Sequence, residues 1–330
     1  MLGESSVRPE ATDTLIRYAD KRWGKFSTRP DAEERYAQLF DHYLAKYRAP
    51  SNQLKQVKPV SLAQLKAETP DVEWAIEGLL AKYTYGLITG PTGVGKSTLA
   101  MQIGMTWSKG GEWNDWVFPK ARVLYGSLEM GPNEILYFTD KLQLGLPLGP
   151  EDIFHMLPVG QTVSVLTQEG RDFYLQYVDD YDVFMFDTVS SSTHLPMLDE
   201  RTAPGIVNFF GELNGMGKTV VALGHDTKDA AKAGILRAES MYGHRLLMDR
   251  ASLIARMEME DLEDDEHVTI IWPKVRLAKK PATAVYLKDP QTLWLTKTTD
   301  PPFSRKRKGS KQDVRATLKA AGVEMEGEVF

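Results

Sequence analysis

"YGLITGPTGVGKSTLA" (residues 85–100) decides how the rest of the chain is read. Within it, Gly90-Pro-Thr-Gly-Val-Gly-Lys-Ser97 satisfies G-x-x-x-x-G-K-[ST] in full. Its glycines permit φ angles that turn backbone N–H groups inward around phosphate oxygens, and the helix that follows adds its positive end. Lys96 is placed to reach β and γ phosphates, and the Ser97 hydroxyl to ligate Mg²⁺. Gly90, Pro91, Thr92, Gly93, Val94, Gly95, Lys96, Ser97 and Thr98 form the expected ATP-binding set. A chance glycine turn is the bland alternative, but the match lies between a strand pattern, "YGLITG", and a helix pattern, "STLAMQIGMTW", where the geometry requires it.

Around this loop, short apolar runs alternate with helical stretches. "RVLYGSLE", "DVFMFD" and "TVVALGHD" read as strands, and "STLAMQIGMTWSKG" and "TAPGIVNFFGELNGMGK" as helices between them. Continuous apolar strands separated by helices indicate a mostly parallel sheet covered on both faces. "ASLIARMEM", "HVTIIWPKVR", "TAVYLKD" and "TLWLTK" then follow with short turns, which predicts an antiparallel extension. A metal phosphate site also needs a carboxylate on a strand adjacent to the loop strand, and Asp187, ending "VFMFD", supplies it. Glu129 ends "VLYGSLE", expected to lie beside the loop strand, where a carboxylate orients or deprotonates an attacking water. A solvated glutamate at a strand end is the competing reading.

Composition sets outer bounds. The 330 residues are 42% hydrophobic and 26% charged, as in an ordinary globular protein, with formal net charge −5. That balance argues against a chain coated all over by nucleic acid, though not against a local basic channel. Cysteine is absent, which excludes disulfides, thiolate zinc sites and cysteine nucleophiles. No apolar run approaches a membrane span, and "MLGESSVRPEATD" lacks the features of a secretory signal, so a cytoplasmic, membrane-free protein is expected.

With these residues in place, "VLYGSLEM" resembles the strand that carries the catalytic glutamate in DnaB-type replicative helicases. The order of phosphate loop, glutamate and Walker B aspartate is that of the wider RecA-like class. The resemblance covers about residues 70–298, and "VEWAIEGLLAKYTYGLITGPTGVGKSTLA" is also similar to RepA-like hexameric ATPases. It implies a RecA-like P-loop NTPase core with ATP and Mg²⁺ as cofactors and Glu129 as the catalytic base. By the same resemblance, His225, ending "TVVALGH", is a γ-phosphate sensor, and Lys228, Lys232 and Arg237 are nucleic-acid contacts in the loop after it. Lys274 and Arg276 resemble the K-x-R pair that reaches into a neighbouring subunit's ATP site. Bland alternatives stand beside each: a hydrogen-bonded histidine, a solvated loop, a solvated basic strand end. The chain departs from the DnaB pattern in "LAKKPA" after the K-x-R pair, and in having about fifty residues where those helicases have a large N-terminal domain.

The expected organisation is a small helical segment and linker over 1–60, the ATPase domain over 61–300, and a basic then acidic tail over 301–330. The resemblance implies a ring-forming, hexameric DNA helicase or translocase acting on single-stranded DNA in replication, with ATP sites between subunits. Replication proteins are possible partners of the N-terminal helices or the tail. A RecA-like recombinase or annealing protein that forms filaments, and a nucleotide-gated loader or DNA-binding switch without motor activity, stay open as alternatives.

Overall fold

A computed structural model describes residues 59–158, 160, 162–225, 245–259 and 266–301. The helices expected in the first fifty residues, and the tail beyond 301, lie outside the described residues. The chain divides into two compact units, Met1–Pro70 and Asp71–Phe330. The described part of the first holds helix α1 (Leu62–Glu68), started by a reciprocal cap in which Ser61 accepts from the Gln64 amide and Gln64 accepts from the Ser61 amide.

The second unit contains, in chain order, β1 (Trp74–Ile76), β2 (Leu80–Ala81), β3 (Tyr85–Gly90), α2 (Lys96–Lys109), β4 (Gly111–Trp113), β5 (Trp116–Phe118), β6 (Val123–Ser127), α3 (Pro132–Gly145), β7 (Phe154–Pro158), α4 (Gln168–Leu175), β8 (Val183–Asp187), α5 (Thr202–Gly215), β9 (Thr219–His225), α6 (Arg245–Arg250), β10 (Leu253–Glu258), β11 (His267–Val275), β12 (Ala284–Lys288) and β13 (Leu295–Lys297). Nine strands form one sheet in the order β13-β12-β11-β10-β3-β9-β8-β6-β7. From β10 to β7 all neighbours are parallel, and from β10 to β13 all are antiparallel. The sheet is therefore the expected RecA-like one, a parallel core with an antiparallel extension.

Both faces of the parallel part are covered, which is why its strands read as unbroken apolar runs. Successive side chains alternate between two cores: Phe184 and Phe186 of β8 join one, Val183 and Met185 the other. Helix α5 packs Ile206, Phe209, Phe210 and Leu213 on the first, with Phe186 and Phe210 rings 5.2 Å apart. Helix α2 covers the second. Its Trp107 is fully buried and its indole donates to the Ala75 carbonyl at 2.6 Å. Burying a side chain of this size contributes on the order of 3 kcal/mol.

Strand order corrects two expectations. Neither the Asp187 strand nor the Glu129 strand neighbours β3: β9, which comes later in the chain, inserts between β3 and β8, and β6 lies beyond β8. Sequence order cannot reveal this, because a crossover connection can land on any free edge of a growing parallel sheet. Two small hairpins, β1–β2 and β4–β5, fall outside the sequence-based expectations, as do β7, α3 and α4. The start of α3 does carry a signal in "GPNE": Pro132 occupies the first turn and the Glu134 carboxylate accepts from the Gly131 amide at 2.9 Å. Among the described residues no helix is long and apolar enough to cross a membrane.

Candidate active site

Strand β3 delivers the chain to Gly90 at the carboxyl edge of the sheet, and α2 carries it back. Gly90 has φ +149° and Gly95 +92°, conformations that residues with side chains rarely adopt. A Cβ on Gly90 would also lie 2.5 Å from the Met257 carbonyl oxygen of β10, so both conformation and close approach require glycine there. Val94, 2% exposed, anchors the loop in the core, while Thr92 and Gly93 stand exposed at its tip. The Lys96 ammonium is buried beneath the loop and donates to the carbonyl oxygens of Gly90 at 3.0 Å and Pro91 at 2.8 Å.

Asp187 ends β8 and is 2% exposed. The Tyr125 hydroxyl donates to its Oδ2 at 2.6 Å, and the Ser97 side chain lies beside the same carboxyl. Burial pushes this carboxyl above its ordinary range, while the hydroxyls of Tyr125 and Ser97 pull it back. A buried carboxylate beside a serine hydroxyl is a natural seat for a hard cation with oxygen ligands, so Mg²⁺ fits here. Among the described residues no group of three or more His, Asp or Glu forms a metal cage. A divalent ion would therefore complete its shell with phosphate and water oxygens, as Mg²⁺ commonly does.

Glu129 lies two residues past β6, in the turn that enters α3. Although its strand is three places from β3, the sheet edge brings it in: Ser127 pairs with Asp187, and the Leu128 amide donates to the Asp187 carbonyl at 2.9 Å. Its Oε1 accepts from the hydroxyls of Thr188 at 2.7 Å and Ser191 at 2.8 Å. Its Oε2 faces His225 Nε2 at 3.8 Å. His225 ends β9 directly opposite Gly90 in the β3–β9 register, so the histidine bridges the loop and the glutamate. The Glu129 carboxyl is lowered from 4.5 to about 2, first by His225, then by Thr188 and Ser191, against the opposing effect of burial. At 3.8 Å the histidine acts as a charge partner and needs its proton to do so, whereas the hydroxyl bonds operate regardless.

Lys274 and Arg276 are elsewhere. Lys274 pairs with Ile254 and Val275 with Leu253, the residue opposite Gly86, at the end of the sheet remote from the loop. Lys274 donates to the carbonyls of Met248 (2.8 Å) and Asp249 (2.7 Å), and Arg276 donates to that of Asp249 (2.5 Å). Both cations thus cap the C-terminal carbonyls of α6. Burial, then the neighbouring Arg276 charge, lowers the Lys274 ammonium. Lys228, Lys232 and Arg237 lie outside the described residues. Tyr125, Thr188 and Ser191 are site residues that sequence reading misses. "DTVSSS" (187–192) does advertise a run of hydroxyls after the aspartate, but nothing in one sequence says which carboxylate they serve.

Residues 50–231 match the model of a family described as an AAA domain. No curated protein matches. Among solved structures, one ATPase domain superposes with a TM-score of 0.53 at 13% identity, covering 78% of this chain and 97% of that one, in agreement with the RecA-like fold. The flagellar accessory protein FlaH of Methanocaldococcus jannaschii aligns with a TM-score of 0.46 at 13% identity over 66% of this chain and 91% of that one. The KaiC-like protein PH0186 of Pyrococcus horikoshii OT3 aligns at 0.46 and 15% identity over 68% and 93%.

Proposed function

This chain belongs to the AAA-domain family, and from that premise we propose that it is an ATP hydrolase whose sites are shared between subunits: a ring-forming, hexameric helicase or translocase that moves on single-stranded DNA in replication. The observation that carries the reading is a division of the expected residues. Lys96, Ser97, Asp187, Glu129 and His225 meet at one edge of the sheet, while Lys274 and Arg276 stand at the opposite end, too far to serve the same chain's loop. In this scheme residues 61–300 are the motor domain, and 1–60 and 301–330 serve assembly or partner contacts in the cytoplasm.

Each residue has a task. Lys96 exchanges the Gly90 and Pro91 carbonyls for β and γ phosphate oxygens. Ser97 and Asp187 are the residues that would hold Mg²⁺, and the chemistry the ion would supply there is neutralisation of phosphate charge. Glu129, ionised and facing the space beside His225, accepts a hydrogen bond from the attacking water and aims it. The same carboxylate is the candidate general base for that water. His225, opposite Gly90, senses the γ phosphate and reports to the segment that follows β9. Lys274 and Arg276 of an adjacent subunit supply the positive charge that a single chain lacks.

The test is steady-state ATP turnover with and without single-stranded DNA, combined with strand separation on a forked duplex. The reading expects DNA-stimulated turnover and separated strands. Turnover indifferent to DNA, with an intact fork, would reject the motor, and helical filaments in electron micrographs would favour a recombinase.

A further inference from the structure

After β8 the chain runs Asp187-Thr-Val-Ser-Ser-Ser192, and its hydroxyls are wired together. Ser190 and Thr188 hydroxyl oxygens are 2.6 Å apart, Thr188 donates to Glu129 Oε1, and Ser191 donates to the same oxygen from the short helical turn Ser190–Ser192. Since an ionised carboxylate only accepts, the Thr188 proton points at Glu129 and the Ser190 proton at Thr188. Ser192 fixes the turn by donating to the Thr188 carbonyl at 3.0 Å, and the Val189 amide ties the segment to the Leu223 carbonyl of β9 at 2.8 Å. The result is a two-point hold on one oxygen of a half-exposed carboxylate.

We propose that Thr188 and Ser191 are positioning residues for ATP hydrolysis: by saturating Oε1 of Glu129 they present Oε2, on the His225 side, as the one oxygen open to the attacking water. The proposal rests on the assignment of Glu129 as the residue that aims that water. Neither hydroxyl is bonded to the phosphate loop, so their loss should act on the chemical step and leave nucleotide binding alone. The hydroxyls of Thr188, Ser191 and Ser190 then share one task, holding Glu129 directly or at one remove. Ser190 strengthens the hold at one remove, because a donor that is itself an acceptor in a chain polarises its own bond.

The experiment compares Thr188→Val, Ser191→Ala, the double variant and the conservative Thr188→Ser in the full-length protein, with Glu129→Gln alongside. Losing one oriented bond to a charged group should lower kcat about tenfold, and losing both about a hundredfold, with KM for ATP and the affinity for a non-hydrolysable analogue unchanged. Thr188→Ser, which keeps the hydroxyl, should restore most of kcat. The proposal is overturned if the double variant turns over at the wild-type rate while Glu129→Gln is inactive. It is equally overturned if kcat and analogue affinity fall together, or if Thr188→Ser fails to rescue, since those results describe a segment that merely holds the fold. If Glu129→Gln itself remains active, the underlying assignment of Glu129 is what fails.

Discussion

The shared-site reading makes its sharpest demand on Lys274 and Arg276. In the registers of β3, β10 and β11, Leu253 aligns with both Gly86 and Val275, and Gly86 is four residues before Gly90. At ~3.3 Å per residue that is about 13 Å along the strands, and crossing from β3 past β10 to β11 adds roughly 10 Å sideways. The pair thus starts about 16 Å from its own phosphate loop, beyond the reach of an arginine side chain, and is further held by the α6 carbonyls. Replacing both by alanine should cut ATP turnover by ~10³-fold or more, equivalent to about 4 kcal/mol of barrier. The variant should still bind ATP. Mixed before assembly with an equal amount of Lys96→Ala, itself inactive, it should regain activity: an interface is intact when the phosphate loop comes from one variant and the cations from the other. Random heterologous pairing makes about one quarter of the interfaces intact. An ATPase assay on the mixture reads this directly. A mixture no more active than its parents, or a finger variant with wild-type turnover, would refute the reasoning.

Further expectations concern the loop, the core and pH. Gly90→Ala should abolish nucleotide binding, measured by fluorescence of a labelled ATP analogue, because the new Cβ would meet the Met257 carbonyl at 2.5 Å in a φ region alanine avoids. Trp107→Ala should cost about 3–5 kcal/mol in urea unfolding, through the cavity in the core and the loss of the bond to the Ala75 carbonyl. Because Glu129 is lowered from 4.5 to about 2 in the folded chain, its ionisation favours folding fully above 4.5, and that contribution disappears as pH falls toward 2. The thermal midpoint of wild type relative to Glu129→Gln should therefore decline across that window. A difference that does not vary with pH would contradict the hydrogen-bonded, charge-paired environment.

Much of the fold is legible because its signals are local. β3, β6, β8 and β9 are runs of buried apolar residues, and the Gly90–Ser97 motif specifies its own strand, loop and helix. Strand order is not, because pairing partners are chosen by tertiary packing: Glu129 is expected on a strand beside β3 and comes from one three places away. It reaches the site all the same, since parallel strands end at a common edge. Small hairpins such as β4–β5 escape because three-residue strands lack a readable period. The surroundings of Glu129 are invisible for a related reason: Thr188 lies 59 residues from it in sequence and Ser191 lies 62, and hydroxyls carry no signature of what they will bond.

The central claim is that Glu129 aims the water that cleaves ATP bound at the Gly90–Ser97 loop. It is tested most directly by measuring ATP turnover and nucleotide occupancy of wild type and Glu129→Gln side by side, with single-stranded DNA present. The account predicts turnover in the wild type and full occupancy without turnover in the variant. Equal turnover in both, or occupied wild-type sites that never hydrolyse ATP, would contradict it.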